Sequence, residues 1–311
     1  MPPKRIRHRP AKKSTVAAYQ PSDLIIKDTV DKGKGVFSST PIPQGTCIIS
    51  EYPIVTFPFI HTPKDIIASV LGCTEGERNK IMAFSYSAAF ASLHPYQRIA
   101  ETNCVPMPER EQAGLFETIC RVNHDCRPNA MYLWEERLGK EVLRALTDIP
   151  AGEEITVSYT PNLLDRRERR ELLQSAWDFS CRCLSCALPP DELAKSDQRV
   201  SQLSRIIDAH ADTTFLRTSP TFALAKVRQA LAIIKEEKLW HQDCDQYYDA
   251  FQVCAAWGDM VNAKVWAGRA VNAYTRNYGA DGERTMQMRA HAEDPRGFSE
   301  WGTSGIRMLS S

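Results

Sequence analysis

Hydrophobic and polar positions alternate along the first half of the chain and give way to helical spacing in the second. Leu24-Ile25-Ile26, the run Thr46 to Ser50 and the alternation Glu154 to Thr160 read as strands. Ile155, Val157 and Tyr159 share one face of the last, where the plain role of Tyr159 is a core aromatic at a strand end. Met131–Glu135 and Glu141–Leu146 predict a hairpin turning around Leu138-Gly139-Lys140. Before it, residues 62–120 are expected to form a helical insert, with segments Asp65–Leu71, Glu75–Leu93 and Gln112–Cys120. Asp165–Ala176 predicts a short charged helix. Residues 191–280 predict a helical region with segments Phe222–Lys238, Asp245–Trp257 and Met260–Tyr278, packed through Ala263, Ala267, Ala270 and Ala273. The polar, glycine-rich end, 281–311, predicts a flexible tail. The sum of these elements is an α+β chain.

One internal echo stands out. Ile42-Pro43-Gln44-Gly45 and Ile149-Pro150-Ala151-Gly152 each precede a strand, and both are expected to be type I turns with proline second and glycine fourth.

Composition narrows the function classes without choosing one. The 311 residues are 43% hydrophobic and 25% charged, ordinary for a globular chain. Lys+Arg (39) and Asp+Glu (38) nearly cancel, so no overall field argues for nucleic acid or membrane as partner. No apolar run suits a membrane helix, and the N-terminus lacks a signal peptide's apolar core, so secretion is not expected. Residues 1–22 carry Lys4, Arg5, Arg7, Arg9, Lys12 and Lys13 with no acidic residue, predicting a disordered basic arm. That arm reads as a solvated tail or as a nuclear import signal, which leaves nucleus and cytoplasm both open. Ten cysteines in a chain of this kind point to thiols or metal, not to a disulfide framework.

The chemistry concentrates in two stretches. Arg121-Val-Asn-His-Asp-Cys-Arg-Pro-Asn-Ala130 places a carboxamide, an imidazole, a carboxylate and a thiol in succession. Such a run makes neither a good helix nor a central strand, so it needs partners from elsewhere. Cys181, Cys183 and Cys186, in Cys-x-Cys-x-x-Cys spacing, suit a soft tetrahedral ion, with zinc the default. Three thiols leave a fourth position for water, as in a hydrolytic site, or for a cysteine from another segment. Cys73, Cys104 and Cys120 lack ligand spacing and read as small apolar residues. Gly33-Lys34-Gly35 lacks the third glycine of a dinucleotide loop and is by itself only a hairpin turn.

Taken in order, Gly33-Lys-Gly-Val-Phe37, Asn123-His-Asp-Cys126 with Pro128 and Asn129, Ile149–Tyr159, and Phe179-x-Cys-x-Cys-x-x-Cys186 resemble the SET-domain protein-lysine methyltransferases. The nearest branches are the fungal Set5-like and SET-and-MYND proteins. The resemblance covers residues 24–186 and is carried by the combination of motifs. It implies a SET domain over 23–160 with a knot-like crossing of the Asn-His-x-Cys stretch and the Tyr strand. It also implies a zinc-bound post-SET segment over 161–190. S-adenosylmethionine is then the methyl donor and a protein lysine, with histones among the candidates, the acceptor. A monomer is expected, with no membrane and no sequence-specific nucleic acid as partner. By the same resemblance Gly33, Lys34, Gly35, Asn123, His124 and Phe179 contact the cofactor. Tyr159 is catalytic, Trp177 walls the lysine channel, and Cys126 completes a structural zinc site with Cys181, Cys183 and Cys186. The alternative is a non-catalytic SET-fold adaptor working through its helical region.

Three departures shape the expectations. Aspartate at position 125 stands where the family usually has serine, and its side chain is expected to face solvent or pair with Arg127. Residues 45–120 lack the paired Cys-x-x-Cys and His pattern of a MYND module. The helical end is shorter than in SET-and-MYND relatives, which predicts a more open cleft.

Overall fold

The computed structural model describes residues 23–30, 32–161, 163–210 and 218–309, so the basic arm at 1–22 lies outside the described residues. Three small sheets make up the first half. The first comprises β1 (Leu24–Thr29), β2 (Gly33–Ser38), β7 (Asn123–His124) and β10 (Glu154–Val157), in the order β1-β2-β10-β7. The second comprises β3 (Cys47–Glu51), β8 (Ala130–Glu135) and β9 (Lys140–Ala145), in the order β3-β9-β8. The third comprises β4 (Val55–Pro58), β5 (Val105–Met107) and β6 (Gln112–Leu115), in the order β4-β6-β5. Every pairing is antiparallel except β10 with β7, where Thr156 and Val157 run parallel to Asn123 and His124.

That parallel contact is short because side chains replace a longer ladder. Asn129 accepts from the Thr156 N–H at 2.8 Å through Oδ1 and donates to Glu154 O at 2.9 Å through Nδ2. Its carboxamide thus stands in for a strand residue beside β10. The Asp125 N–H donates to Val157 O at 2.9 Å and ends the pairing.

The echoed turns meet each other. Ile42 and Ile149 exchange both backbone hydrogen bonds, at 2.8 and 2.9 Å, as an isolated antiparallel bridge. Thr46 N–H donates to Pro43 O and Glu153 N–H to Pro150 O, each at 3.2 Å. Gly45 (φ +81°) and Gly152 (φ +84°) occupy the third place of each turn. Both are therefore type II turns with proline first and glycine third, not the expected type I. The positive φ is why glycine recurs at that place.

The insert is only partly helical. Its helices are α1 (Pro63–Leu71), α2 (Glu75–Met82) and α3 (Pro95–Asn103). The expected helix Glu75–Leu93 stops at Met82. Beyond it the Ser87 N–H donates to Thr102 Oγ1 (3.0 Å), and the Ser87 hydroxyl oxygen accepts from the Ala89 N–H to cap a single 3₁₀ turn, Ala88–Phe90. Local side-chain bonds of this sort compete with helix. The expected helix Gln112–Cys120 is instead β6 followed by a 3₁₀ turn, Ile119–Arg121, because β4 and β5 flank Gln112–Leu115 on both edges. Pairing on both sides overrides the spacing of apolar residues in a segment this short.

The second half is α4 (Arg166–Trp177), α5 (Pro190–His210), α6 (Pro220–Glu237), α7 (Asp243–Ala256), α8 (Met260–Tyr278) and α9 (Glu283–Glu293). Ala263, Ala267, Ala270 and Ala273 are buried in one cluster with Phe251, Trp266 and Met288. The flexible tail expected at 281–311 is corrected by α9, which buries Thr285 and Met288, and by Leu309. Leu309 donates its N–H to Asp259 (2.7 Å) and accepts from Asn262 (2.9 Å), so polar residues at the start of α8 hold a segment whose own composition is polar. No described helix is long and apolar enough to cross a membrane.

Candidate active site and cysteine cluster

A cavity of about 560 Å³ opens where β2, β7, β10, α3 and the end of α4 converge. It gathers Gly33, Lys34, Asn123, His124, Tyr159 and Phe179 from segments far apart in the chain. Gly35 stands one place behind the wall.

Tyr159 reaches the cavity because β10 ends at Val157 and the chain bends inward past His124. Its hydroxyl donates to Val122 O at 2.7 Å. Burial pushes that hydroxyl up from its ordinary range, so it stays protonated. With its hydrogen committed to Val122, the phenolic oxygen keeps lone pairs for a donor in the cavity. The Trp177 ring lies 5.2 Å from the Tyr159 ring, centre to centre. Trp177 is pinned by its Nε1–H, which donates to Thr102 O of α3 at 3.0 Å. The next residue, Asp178, takes a left-handed conformation (φ +58°) and caps α4 through its N–H to Gln174 O. That reversal brings Phe179 back to the cavity, 6.2 Å from the His124 ring.

His124 is spent inside the wall. Its Nδ1 accepts from the Tyr159 N–H at 3.0 Å, which assigns the ring proton to Nε2. Nε2 then faces Cys126 Sγ at 3.3 Å as a donor. Burial pushes the imidazole down to about 4, so it is neutral. The ring ties the cysteine cluster to the Tyr159 backbone; its remaining route to a ligand is the main chain and a ring face.

Cys126, Cys181, Cys183 and Cys186 bring their sulfurs within 4.8 Å of one another. Cys126 Sγ is 3.9 Å from Cys181 Sγ and 3.6 Å from Cys186 Sγ. A tetrahedral ion with sulfur ligands at about 2.3 Å requires sulfur separations of about 3.8 Å. Donor set, spacing and burial therefore fit zinc, and the fourth position left open by the Cys-x-Cys-x-x-Cys spacing is filled by Cys126.

Asp125 resolves differently from either expectation. Its Oδ1 accepts the Arg127 backbone N–H at 2.8 Å, closing a local turn, and its carboxyl is raised to about 6 by burial and by the Cys183 sulfur. The Arg127 guanidinium turns away, to Cys126 O at 3.0 Å and to Glu237 at 2.6 Å. Glu237, at the end of α6, is buried and also accepts from Arg199 and Ser196. Asp125 thus shapes the turn while Arg127 fastens it to the helical half.

Several wall residues escaped the sequence reading. Cys104 and Cys120, read as filler, line the cavity, with the Cys104 thiol pushed up to about 12 by burial. Tyr132, placed only as a hairpin residue, also lines it. Behind the sheet, Glu141 is fully buried, and neither of its oxygens has a hydrogen-bond partner among the described residues. Burial, reinforced by Glu109, raises its carboxyl to about 8. Only the polar residue inside the apolar run Glu141–Leu146 could have signalled it.

Comparison with known proteins agrees with this geometry. Residues 33–160 match the SET domain family. Over 273 residues the chain is 30% identical to the histone-lysine N-methyltransferase set5 of Schizosaccharomyces pombe, covering 86% of this chain and 82% of that protein. It is 23% identical to the human N-lysine methyltransferase SMYD2 over 238 residues, 69% of this chain but only 53% of the relative. An 86-residue stretch is 35% identical to the human histone-lysine N-methyltransferase SMYD3, covering 27% of this chain and 19% of that protein. With the matched segment bounded by Gly33 and Thr160, enclosing the cavity's glycine turn, Asn-His-Asp-Cys stretch and tyrosine, the chain belongs to the SET-domain family.

Proposed function

We propose that the protein is a lysine methyltransferase that uses S-adenosylmethionine to methylate protein side chains. The observation that carries this reading is the cavity itself, where a protonated tyrosine hydroxyl, an unspent amide oxygen and an aromatic flap meet. When bound, S-adenosylmethionine supplies a methyl group already activated on a sulfonium sulfur. Asn123, the backbone at Gly33-Lys34-Gly35 and the Phe179 ring would hold it, with His124 contributing main chain.

The chain's own work is alignment and desolvation. A lysine amine in water has a pKa of about 10.4 and is almost wholly protonated at neutral pH. Entry among Trp177, Tyr132 and Val122 removes it from water and favours the neutral amine. Tyr159, with its hydrogen held by Val122, accepts a hydrogen from that amine and fixes its direction. A phenol whose ionisation is pushed upward is a poor base, so the proton leaves to solvent before the amine is seated.

Zinc in the four-cysteine cluster is structural in this reading, since four thiolates complete a tetrahedron and leave no place for water. The crossing of β7 with β10, held by Asn129, is read as knot-like. Histone tails are the first substrates to test, as the set5 name suggests, and nuclear entry would rest on residues 1–22. The adaptor reading has no observation in its favour. The test is transfer of tritiated methyl from S-adenosylmethionine to a peptide array and to core histones. Labelling of lysine peptides is expected; no labelling of any array peptide, histone or cell-extract protein by zinc-replete protein would refute the proposal.

A further inference from the structure

The start of β2 at Gly33-Lys34-Gly35 is packed in a way its sequence does not announce. A Cβ at Gly35 would lie 2.5 Å from Glu154 Oε1, 2.8 Å from Thr29 Cγ2 and 2.9 Å from Asn123 Nδ2. Glycine at 35 is therefore required by the side chains that meet beside it, among them a pair joined by a hydrogen bond. That bond runs from Asn123 Nδ2 to Glu154 Oε1 at 2.8 Å. The other hydrogen of the same amide nitrogen donates to Lys34 O at 3.2 Å. Glu154 Oε2 is held by Lys32 Nζ at 3.1 Å.

The arrangement fixes which way the Asn123 amide faces. Both of its N–H groups are used, and Oδ1 has no partner among the described residues although Asn123 stands in the cavity wall. Turning the amide over would set Oδ1 against a carbonyl and a carboxylate, three acceptors with no hydrogen between them. Glu154, which lines no part of the cavity, selects the orientation.

We infer that Glu154 is a positioning residue for the donor site, holding the Asn123 amide oxygen toward the cavity as the acceptor for the ammonium group of S-adenosylmethionine. This rests on the methyltransferase reading and adds to it a residue that touches neither cofactor nor substrate. Its partners explain the order of the motif: Gly35 leaves the space, Lys34 offers the second acceptor and Lys32 holds the far oxygen.

The test exploits the isosteric change Glu154→Gln, which lets the neighbouring side chain present N–H instead of oxygen and so permits the amide to turn. Binding of S-adenosylmethionine and of 5′-methylthioadenosine, which lacks the amino-acid portion, is measured by calorimetry on the zinc-replete full chain. The variant is expected to bind S-adenosylmethionine about tenfold more weakly while binding 5′-methylthioadenosine as before. Equal weakening toward both ligands would show a merely structural role and overturn the inference. So would unchanged affinity for S-adenosylmethionine. If the unaltered chain binds neither ligand, the methyltransferase reading falls first and takes this one with it.

Discussion

The β region and the C-terminal helices are held together by different means. Around the cavity, polar side chains join segments far apart in the chain: Asn129 to β10, His124 to Tyr159, and Glu51 to the N–H groups of Thr118 and Ile119. In the helical half, the core is alanine and aromatic packing, with Ala267 and Ala270 against Phe251 and Trp266. A hydrogen bond between distant segments sets direction, whereas apolar packing sets stability with little directional demand. The cavity is therefore sensitive to the chemistry of single atoms, and the helical half to volume.

Substitutions can break this contrast. The largest effect is expected for Tyr159→Phe, which keeps the ring packing and removes the hydroxyl. Single-turnover methyl transfer should fall about a hundredfold, with S-adenosylmethionine affinity near that of the unaltered chain. A variant as fast as the original would remove Tyr159 from the mechanism. Next comes Cys183→Ser, which takes one sulfur from the cluster. Native mass spectrometry should show the metal lost, and calorimetry should show cofactor binding weakened at least about tenfold as the flap carrying Phe179 loosens. Full metal content in the variant would contradict the ligand set.

Trp266→Ala tests the other half. It should cost about 3 kcal/mol by denaturant titration, yet leave cofactor affinity unaltered at a temperature where the chain is folded. A comparable loss of affinity would show that the helices shape the cavity after all.

The smallest effect concerns Glu141. Its carboxyl is raised from 4.5 to about 8 by burial, so between those values the folded chain binds a proton that the unfolded chain has released. Stability therefore falls as pH rises through that window. Glu141→Gln removes this loss, and its melting temperature should exceed the original by about 3 °C at pH 8 and match it near the lower end of the window. Equal shifts at both ends would mean that the group does not titrate there.

Much of the site was legible because its chemistry is written in contiguous motifs. Asn123 and Cys126 sit in a run too polar to be filler, Cys181, Cys183 and Cys186 announce their ligand spacing, and Tyr159, by pattern alone a core aromatic, was marked only by the order of the motifs around it. The helical half was readable from alanine periodicity. What escaped depends on tertiary partners. Gln112–Leu115 becomes a strand only because two others flank it. The Glu283–Glu293 helix is fixed through Thr285 and Met288 against a neighbour, with no broad apolar face of its own. His124 lines the cavity, but no spacing reveals that its ring nitrogens are engaged by Cys126 and Tyr159. Glu154 was read simply as the start of a strand, because its role depends on the space left at Gly35.

The separation of Cys126 from its fellow thiols bears on how the chain acquires its shape. Cys126 and Cys181 are 55 residues apart, and the strand ending at Val157 emerges between them. During synthesis Cys126 and that strand both emerge before the three thiols that complete the cluster. A metal taken up there would be held by all four thiols only once Cys186 has emerged. It would latch a loop whose closure in the unfolded chain costs about 4 kcal/mol of entropy. Metal supply would then govern how long the closed cluster survives as well as whether it forms.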